Sequence, residues 1–324
     1  MPAVRKVLFT AKSPWPWQRQ IPDQARWGDC HFYFADTQPV YDAWVVFENV
    51  PMEEMQANCS RTLLVTGEPP SQKRYPKGFL GQFSSVISCA PLSHPEVIVQ
   101  QQSLRWFVGV DLSGPTPVAR MDFADLARPV AGKTKAISLI SSAKSFSRGH
   151  RRRLSLVRSL KEHFGDRLDV FGHGFQAIPD KWEALHPYRC TLVIENCVQP
   201  HYWSEKLGDA LLAECLPIYC GCPNVGEYFP ASAMRTVDRD RPDGVIAAVE
   251  ECLSPECYET ALPAIRQAKK KLMYEYNVFE QVARWLEAAE PREPRWTSLR
   301  NEASFIRWPR LDKKLRKIRR LFSG

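Results

Sequence analysis

Five polar residues, Glu195, Asn196, Tyr202, Glu205 and Lys206, crowd into a stretch of twelve. Lys206 is the odd one. It falls in the first turn of a helix that Ser204 can start, where a cation opposes the helix dipole. A bound anion would explain it, because helix N-termini collect phosphate groups. A second concentration of charge fits the same chemistry: Lys144, Arg148, Arg151, Arg152 and Arg153 stand at the start of another helix. Arginine offers a planar fork of donors to phosphate oxygens, so two basic helix starts read as a diphosphate site. The plainer alternative is a surface loop with scattered charges beside a solvated basic face. Three carboxylates in the first third of the chain, Asp29, Glu48 and Glu68, end or flank strand-like runs. A lone Glu after a strand is most often a cap or a surface charge. In an open α/β sheet, however, that edge is where ligands sit.

Such residues need strands that stop at the right place. Residues 190–194 form a continuous apolar run that ends at Glu195-Asn196, as a buried parallel strand does. Behind Ser204, residues 205–214 carry Leu207, Ala210 and Leu211 at helical spacing, and 217–220 give the next strand. The whole is a β-α-β unit of about 30 residues. Upstream, 136–141 reads as a strand, followed by a loop and an amphipathic helix with Leu154, Val157, Leu160 and Phe164 on one face. Residues 168–171 are the next strand. Downstream come a strand over 234–237, a helix over 244–252, and a helix-forming stretch over 259–288 that could cross back onto the first domain. In the first part, 4–9, 30–34, 42–47, 62–65 and 84–88 read as strands and 52–58 as a short helix. Prolines 115, 117 and 129 with Gly132 break the chain between. The expected fold class is therefore α/β with two Rossmann-like domains: 1–132, 133–290, and a tail over 291–324.

The pattern I-E-N, then Y-W-S-E-K-L, then P-I-Y-C-G resembles the signature of the family 10 glycosyltransferases, the α-1,3/1,4-fucosyltransferases, bacterial type. Ile194 stands where that family has Phe, and Ser204 where it has Thr. The resemblance runs at lower density from about residue 60 to about 255. It implies the GT-B arrangement, two Rossmann-like domains facing a cleft. It also implies transfer of L-fucose from GDP-fucose to a glycan hydroxyl with inversion, for example α-1,3 on an N-acetylglucosamine-containing or other surface glycan. Carried over residue by residue, Thr66-Gly67-Glu68 looks like the segment that supplies the catalytic base, Glu68. Counting back seven from Leu160 gives Arg153 as a diphosphate ligand, with Arg152 as the fallback. Lys206 would share that task. Glu205 would hold the ribose hydroxyls, and Asn196 and Tyr202 the nucleotide and phosphates. Glu195 would touch the fucose or support its loop. No metal is implied: Asp238-Arg239-Asp240 matches the D-x-D of metal-dependent glycosyltransferases, but in the wrong place for this family. The competing readings are a transferase of the same fold with another nucleotide sugar, and a non-catalytic glycan- or membrane-binding relative.

Composition excludes several classes. With 324 residues, 44% hydrophobic, the chain can bury the core of a two-domain enzyme. The net charge of +8 is almost all tail, because residues 307–324 hold eight bases and one acid. A nearly neutral body argues against nucleic-acid binding. The tail places Leu311, Leu315, Ile318, Leu321 and Phe322 on one helical face with bases around the rest, which suits an anionic membrane surface. A helix docked on the protein's own acidic surface is the alternative. Without a signal-peptide pattern the expected location is cytoplasmic, peripheral on the inner face of the membrane. The ten cysteines show no zinc or disulfide spacing and read as reduced packing residues.

Overall fold

The computed structural model describes residues 4–23, 25–141 and 148–306, with backbone alone for 148–152. Lys144 and the whole basic amphipathic stretch, with Leu311, Leu315, Ile318 and Phe322, lie outside the described residues, as do the side chains of Arg148, Arg151 and Arg152. The described chain forms two compact α/β units. One comprises the residues up to Leu104 together with those from Tyr276 onward; the other is Arg105–Glu275. Both are Rossmann-like.

In the first unit the strand order is Arg26–Trp27, Cys30–Tyr33, Arg5–Ala11, Ala43–Phe47, Thr62–Val65, Ser85–Ser88, Val97–Val99. All pairings are parallel except the first. Central strands buried on both faces need unbroken apolar runs, and Ala43–Phe47 (AWVVF) and Thr62–Val65 (TLLV) are buried throughout. The short helix expected over 52–58 is instead the strand Glu54–Cys59, antiparallel to Arg295–Arg300. Its outer residues alternate between exposed and covered, and the partner strand lies some 240 residues downstream, beyond the reach of a local pattern. The folded body accordingly continues past residue 290, where the sequence reading began the tail. The chain from Tyr276 onward belongs to the first unit. In the helix Val278–Glu287, Phe279 packs against Phe9, Phe32 and Phe34, and Trp27 Nε1 donates to Glu280 at 2.6 Å.

The second unit has the order Leu168–Phe171, Lys135–Ile140, Tyr188–Ile194, Leu216–Cys220, Arg235–Thr236, all parallel. Its helix Arg148–Phe164 buries Leu154, Val157, Leu160 and Phe164 as the spacing requires. The break between units falls at Leu104–Arg105, not near Lys133. The intervening stretch is rich in proline but pinned to the second unit. Buried Asp209 accepts the N–H groups of Phe107 and Val108 (2.9 and 3.0 Å), Asp180 accepts that of Gly109, and Lys269 donates to the Arg128 carbonyl at 2.8 Å. A capping box between Asp122 and Asp125 even starts a helix there, Phe123–Ala127.

Candidate active site

Within the second unit the sheet order reverses direction between its first and third strands, Lys135–Ile140 and Tyr188–Ile194. Ligands of such sheets bind at the carboxyl ends beside that switch. A cavity of about 370 Å³ opens there, lined by Ile140 and Ser141 from one strand end and by Thr191–Ile194 from the other. Its polar wall is made by Arg153, Asn196, Lys181, Glu205, Lys206 and Asp209. Gly172 completes it. With φ at +113° and Ser141 O packed against it, that position has no room for a Cβ.

Each polar residue is set by its element. The helix Glu205–Leu212 is capped by Ser204, whose Oγ accepts Lys206 N–H at 3.3 Å. Ser204 is held in turn by Glu195, which accepts its N–H at 2.7 Å and its Oγ–H at 2.6 Å. Glu195 is fully buried and lies behind the cavity wall; it is a support of the loop. Lys206 Nζ reaches Glu195 Oε2 at 3.4 Å and Glu205 Oε1 at 3.7 Å. The cation that sequence alone left needing an anion is thus flanked by two carboxylates of its own protein. Burial works against the Lys206 charge, but Glu205 and Glu195 outweigh it and raise its pKa. Burial likewise opposes ionised Glu205, yet Lys206 and Lys181 hold it down at about 2.

Arg153 is buried, which lowers its pKa, and its Nη1 donates to Asn196 Oδ1 at 2.6 Å. This bond joins the helix after the first strand to the loop after the third across the cavity. Tyr202 is buried and does not line the cavity; its N–H donates to the Gln199 carbonyl at 3.3 Å. The neighbouring His201 has a left-handed backbone (φ 61°) fixed by Asn224 Oδ1 on its N–H and by Tyr228 Oη on Nδ1.

Two wall residues had no signal in the motif. Lys181 donates to Asp209 Oδ2 at 2.7 Å and lies 3.9 Å from Glu205 Oε1. Asp209 is buried, which raises its pKa against the pull of Lys181. The only sequence hint was an acid on the buried face of a helix otherwise made of Leu207, Ala210 and Leu211. The cavity therefore carries three cations, Arg153, Lys181 and Lys206, against the acids Glu205 and Asp209. It can neutralise an anion and offer carboxylates to hydroxyl groups.

In the first unit, Glu68 is exposed just after Thr62–Val65, on the carboxyl edge of its sheet. Glu48 has a left-handed backbone (φ 64°) after the adjacent strand, and its carboxylate lies across Gly67, where any Cβ would collide with it. Asp29 is committed to Arg5 at 3.2 Å, on the opposite edge. A cavity of about 290 Å³, walled by Phe9, Trp15, Trp17 and Phe34 with Asp36, opens at this unit's own switch in strand order. In the loop after Arg235–Thr236, the last strand of the second unit, Asp238 accepts Asp240 N–H at 2.9 Å within its own turn. Among the described residues, no group of three or more His, Cys, Asp or Glu side chains is arranged to hold a metal, and no helix is long and apolar enough to cross a membrane. All ten cysteines are free.

No protein-family model matches the chain. It is 32% identical over 131 residues to a fucosyltransferase-like protein of Arabidopsis thaliana, covering 37% of this chain and 24% of that one. It is 27% identical over 173 residues to a 4-galactosyl-N-acetylglucosaminide 3-alpha-L-fucosyltransferase of Pongo pygmaeus, covering 52% of this chain and 43% of that one. The chain thus spans less than half the length of either relative. A crystal structure of an alpha1,3-fucosyltransferase superposes with a TM-score of 0.50 at 16% identity, over 88% of this chain and 91% of that one. The fold is accordingly that of the two-Rossmann-domain GT-B glycosyltransferases, and the chain is similar in sequence to fucosyltransferases.

Proposed function

We propose that this protein is a glycosyltransferase that moves L-fucose from GDP-fucose to a glycan hydroxyl, with inversion at the anomeric carbon. The observation that carries the reading is the cavity at the switch of the second sheet, where Arg153, Asn196, Glu205 and Lys206 converge in the order the fucosyltransferase signature gives them. The relatives' names support the same chemistry, and that of the Pongo pygmaeus protein suggests α-1,3 linkage to an N-acetylglucosamine-containing acceptor. In this reading Arg153 and Lys206 neutralise the charge that builds on the departing diphosphate, aided by Lys181. Glu205 accepts hydrogen bonds from the ribose, and Asn196 fixes the nucleotide while orienting Arg153. Glu195 and Tyr202 act through the loop that they hold.

The first unit would supply the acceptor side. Inversion in one displacement needs a carboxylate to take the acceptor proton, and Glu68 is assigned that role. The aromatic cavity at the same unit's switch offers flat faces for a sugar ring. The tail would hold the enzyme on an anionic membrane surface at the cytoplasmic face, each base adding about 1 kcal/mol. The test is a donor screen by calorimetry and turnover. GDP and GDP-fucose should bind, and GDP-fucose should turn over with an acceptor glycan. Preference for a UDP-sugar would move the protein to another donor class.

A further inference from the structure

The first unit has another cavity, on the edge of the sheet opposite Glu68. Thr62 opens the strand Thr62–Val65 and Ser84 immediately precedes Ser85–Ser88, and both lie in its floor. The length of the four-residue strand alone, about 13 Å, separates this floor from the carboxyl edge. Three arginines, Arg61, Arg292 and Arg295, wall a volume of about 330 Å³. The floor is rigidly tied. Thr62 N–H donates to Ser84 Oγ at 3.1 Å and Ser84 N–H to Thr62 Oγ1 at 2.9 Å. Gln82 holds the strand Arg295–Arg300 by bonds in both directions with Arg300, at 3.0 and 2.8 Å. Period-two alternation puts Arg295 on the same face as Thr297 and buried Leu299, at the exposed start of the strand.

The charge there is unbalanced. Glu293 is the single acid among the lining residues. Arg61 makes its hydrogen bond to a neutral acceptor, the Glu290 carbonyl. Among the described residues, neither Arg292 nor Arg295 takes part in an ion pair. Burial lowers the Arg61 pKa and the like charge of Arg292 lowers it further, against the opposing pull of Glu290. Guanidinium groups that outnumber the carboxylates beside them are stabilised by an anion between them, and their forked donors suit oxygen atoms on one phosphorus.

We propose that this cavity binds a doubly charged oxyanion of the phosphate-ester class, at a site separate from the nucleotide cavity. Three guanidiniums less one carboxylate leave two positive charges, the number that a phosphomonoester or pyrophosphate group carries. The volume admits such a group with a small substituent. The ligand could be soluble or the headgroup of a lipid; the recognising chemistry is the same.

The test uses the full chain and inorganic pyrophosphate, titrated by calorimetry with saturating GDP present so that the nucleotide cavity is filled. Wild-type protein should still bind. Arg292→Ser/Arg295→Ser, two exposed substitutions that leave the core alone, should weaken that binding about ten-fold or more, the size of one or more lost charge-assisted contacts. Arg292→Glu should abolish it, whereas Arg153→Ala should leave it unchanged. The proposal is overturned if wild type binds no pyrophosphate beyond what GDP displaces, or if the double variant binds as wild type does. If Arg153→Ala and the double variant lose binding together, the pyrophosphate was in the nucleotide cavity and the proposal also fails. A second arm compares wild type and double variant on phosphatidic-acid vesicles. A weaker double variant identifies a lipid headgroup as the source, and equal partitioning identifies a soluble phosphate ester.

Discussion

Replacing Lys206 by methionine removes its charge while keeping most of the apolar stem. The ammonium stands 3.4 Å from Glu195 and 3.7 Å from Glu205, and the Glu195 side chain has no exposed surface. At an effective dielectric near 20 the closer pair alone is worth about 5 kcal/mol of gross Coulomb attraction. Losing one partner of a buried pair costs about 3–5 kcal/mol, because the other charge is left uncompensated. Glu195 also keeps its two bonds from Ser204, so the lower end of that range is expected. For a unit of this size that is a fall in Tm of about 6–12 °C. GDP affinity should drop at least about ten-fold as well, since a charge-assisted contact to the diphosphate is worth about 1.5–3 kcal/mol. The discriminating assay is a double-mutant cycle. In a Glu195→Gln background, Lys206→Met should cost less than half as much stability, because the buried anion it stranded is gone. Thermal and urea unfolding give the stability terms, and calorimetry gives GDP affinity. If Lys206→Met costs under about 1 kcal/mol, or the cycle shows no coupling, the supporting role of Glu195 is wrong.

Glu68→Gln keeps size and hydrogen-bonding reach but cannot accept a proton as a carboxylate can, so kcat should fall by about 10²–10⁴ with GDP affinity unchanged; Asp29→Asn is the control, and its collapse in place of Glu68→Gln would move the base. Acid should act on the second unit through Glu205. Its carboxyl is held at about 2 when folded against an ordinary 4.5, so its contribution of about 3 kcal/mol is present above pH about 4.5 and is lost as pH falls toward about 2. Glu205→Gln should flatten the pH dependence of urea unfolding across that window. A chain ending at Arg307 should lose binding to anionic vesicles while keeping activity on a soluble acceptor, and salt should weaken vesicle binding of the full chain; equal partitioning of the two would indicate a tail docked on the protein itself.

What was legible in the sequence was local. The run 190–194 and the helix behind Ser204 showed themselves by apolar periodicity and a capping residue, and the structure has them as Tyr188–Ile194 and Glu205–Leu212. Convergence of Arg153 with Asn196 rested on a strand order that no periodicity reveals. Lys181 was invisible because its reason for being there, Asp209, sits on a buried helix face 28 residues away. The strand Glu54–Cys59 was misread as a helix for a similar reason, since its partner Arg295–Arg300 comes from the far end of the chain. The boundary near Lys133 followed prolines, whereas the packing follows hydrogen bonds from Asp209, Asp180 and Lys269. Lys206 taught the opposite lesson. Its misfit with the helix dipole marked a residue that lines the cavity, and the acids Glu195 and Glu205 that flank it were in plain view in the same motif.

The central claim is the reaction itself, and it is tested most directly by incubating the full-length protein with GDP-fucose and a panel of N-acetylglucosamine-containing glycans and following both GDP release and product by NMR. The account predicts acceptor-dependent GDP release, a fucosylated product with inverted anomeric configuration, and loss of both in Glu68→Gln. Release of a different nucleotide, retention of configuration, or full turnover by Glu68→Gln would contradict it.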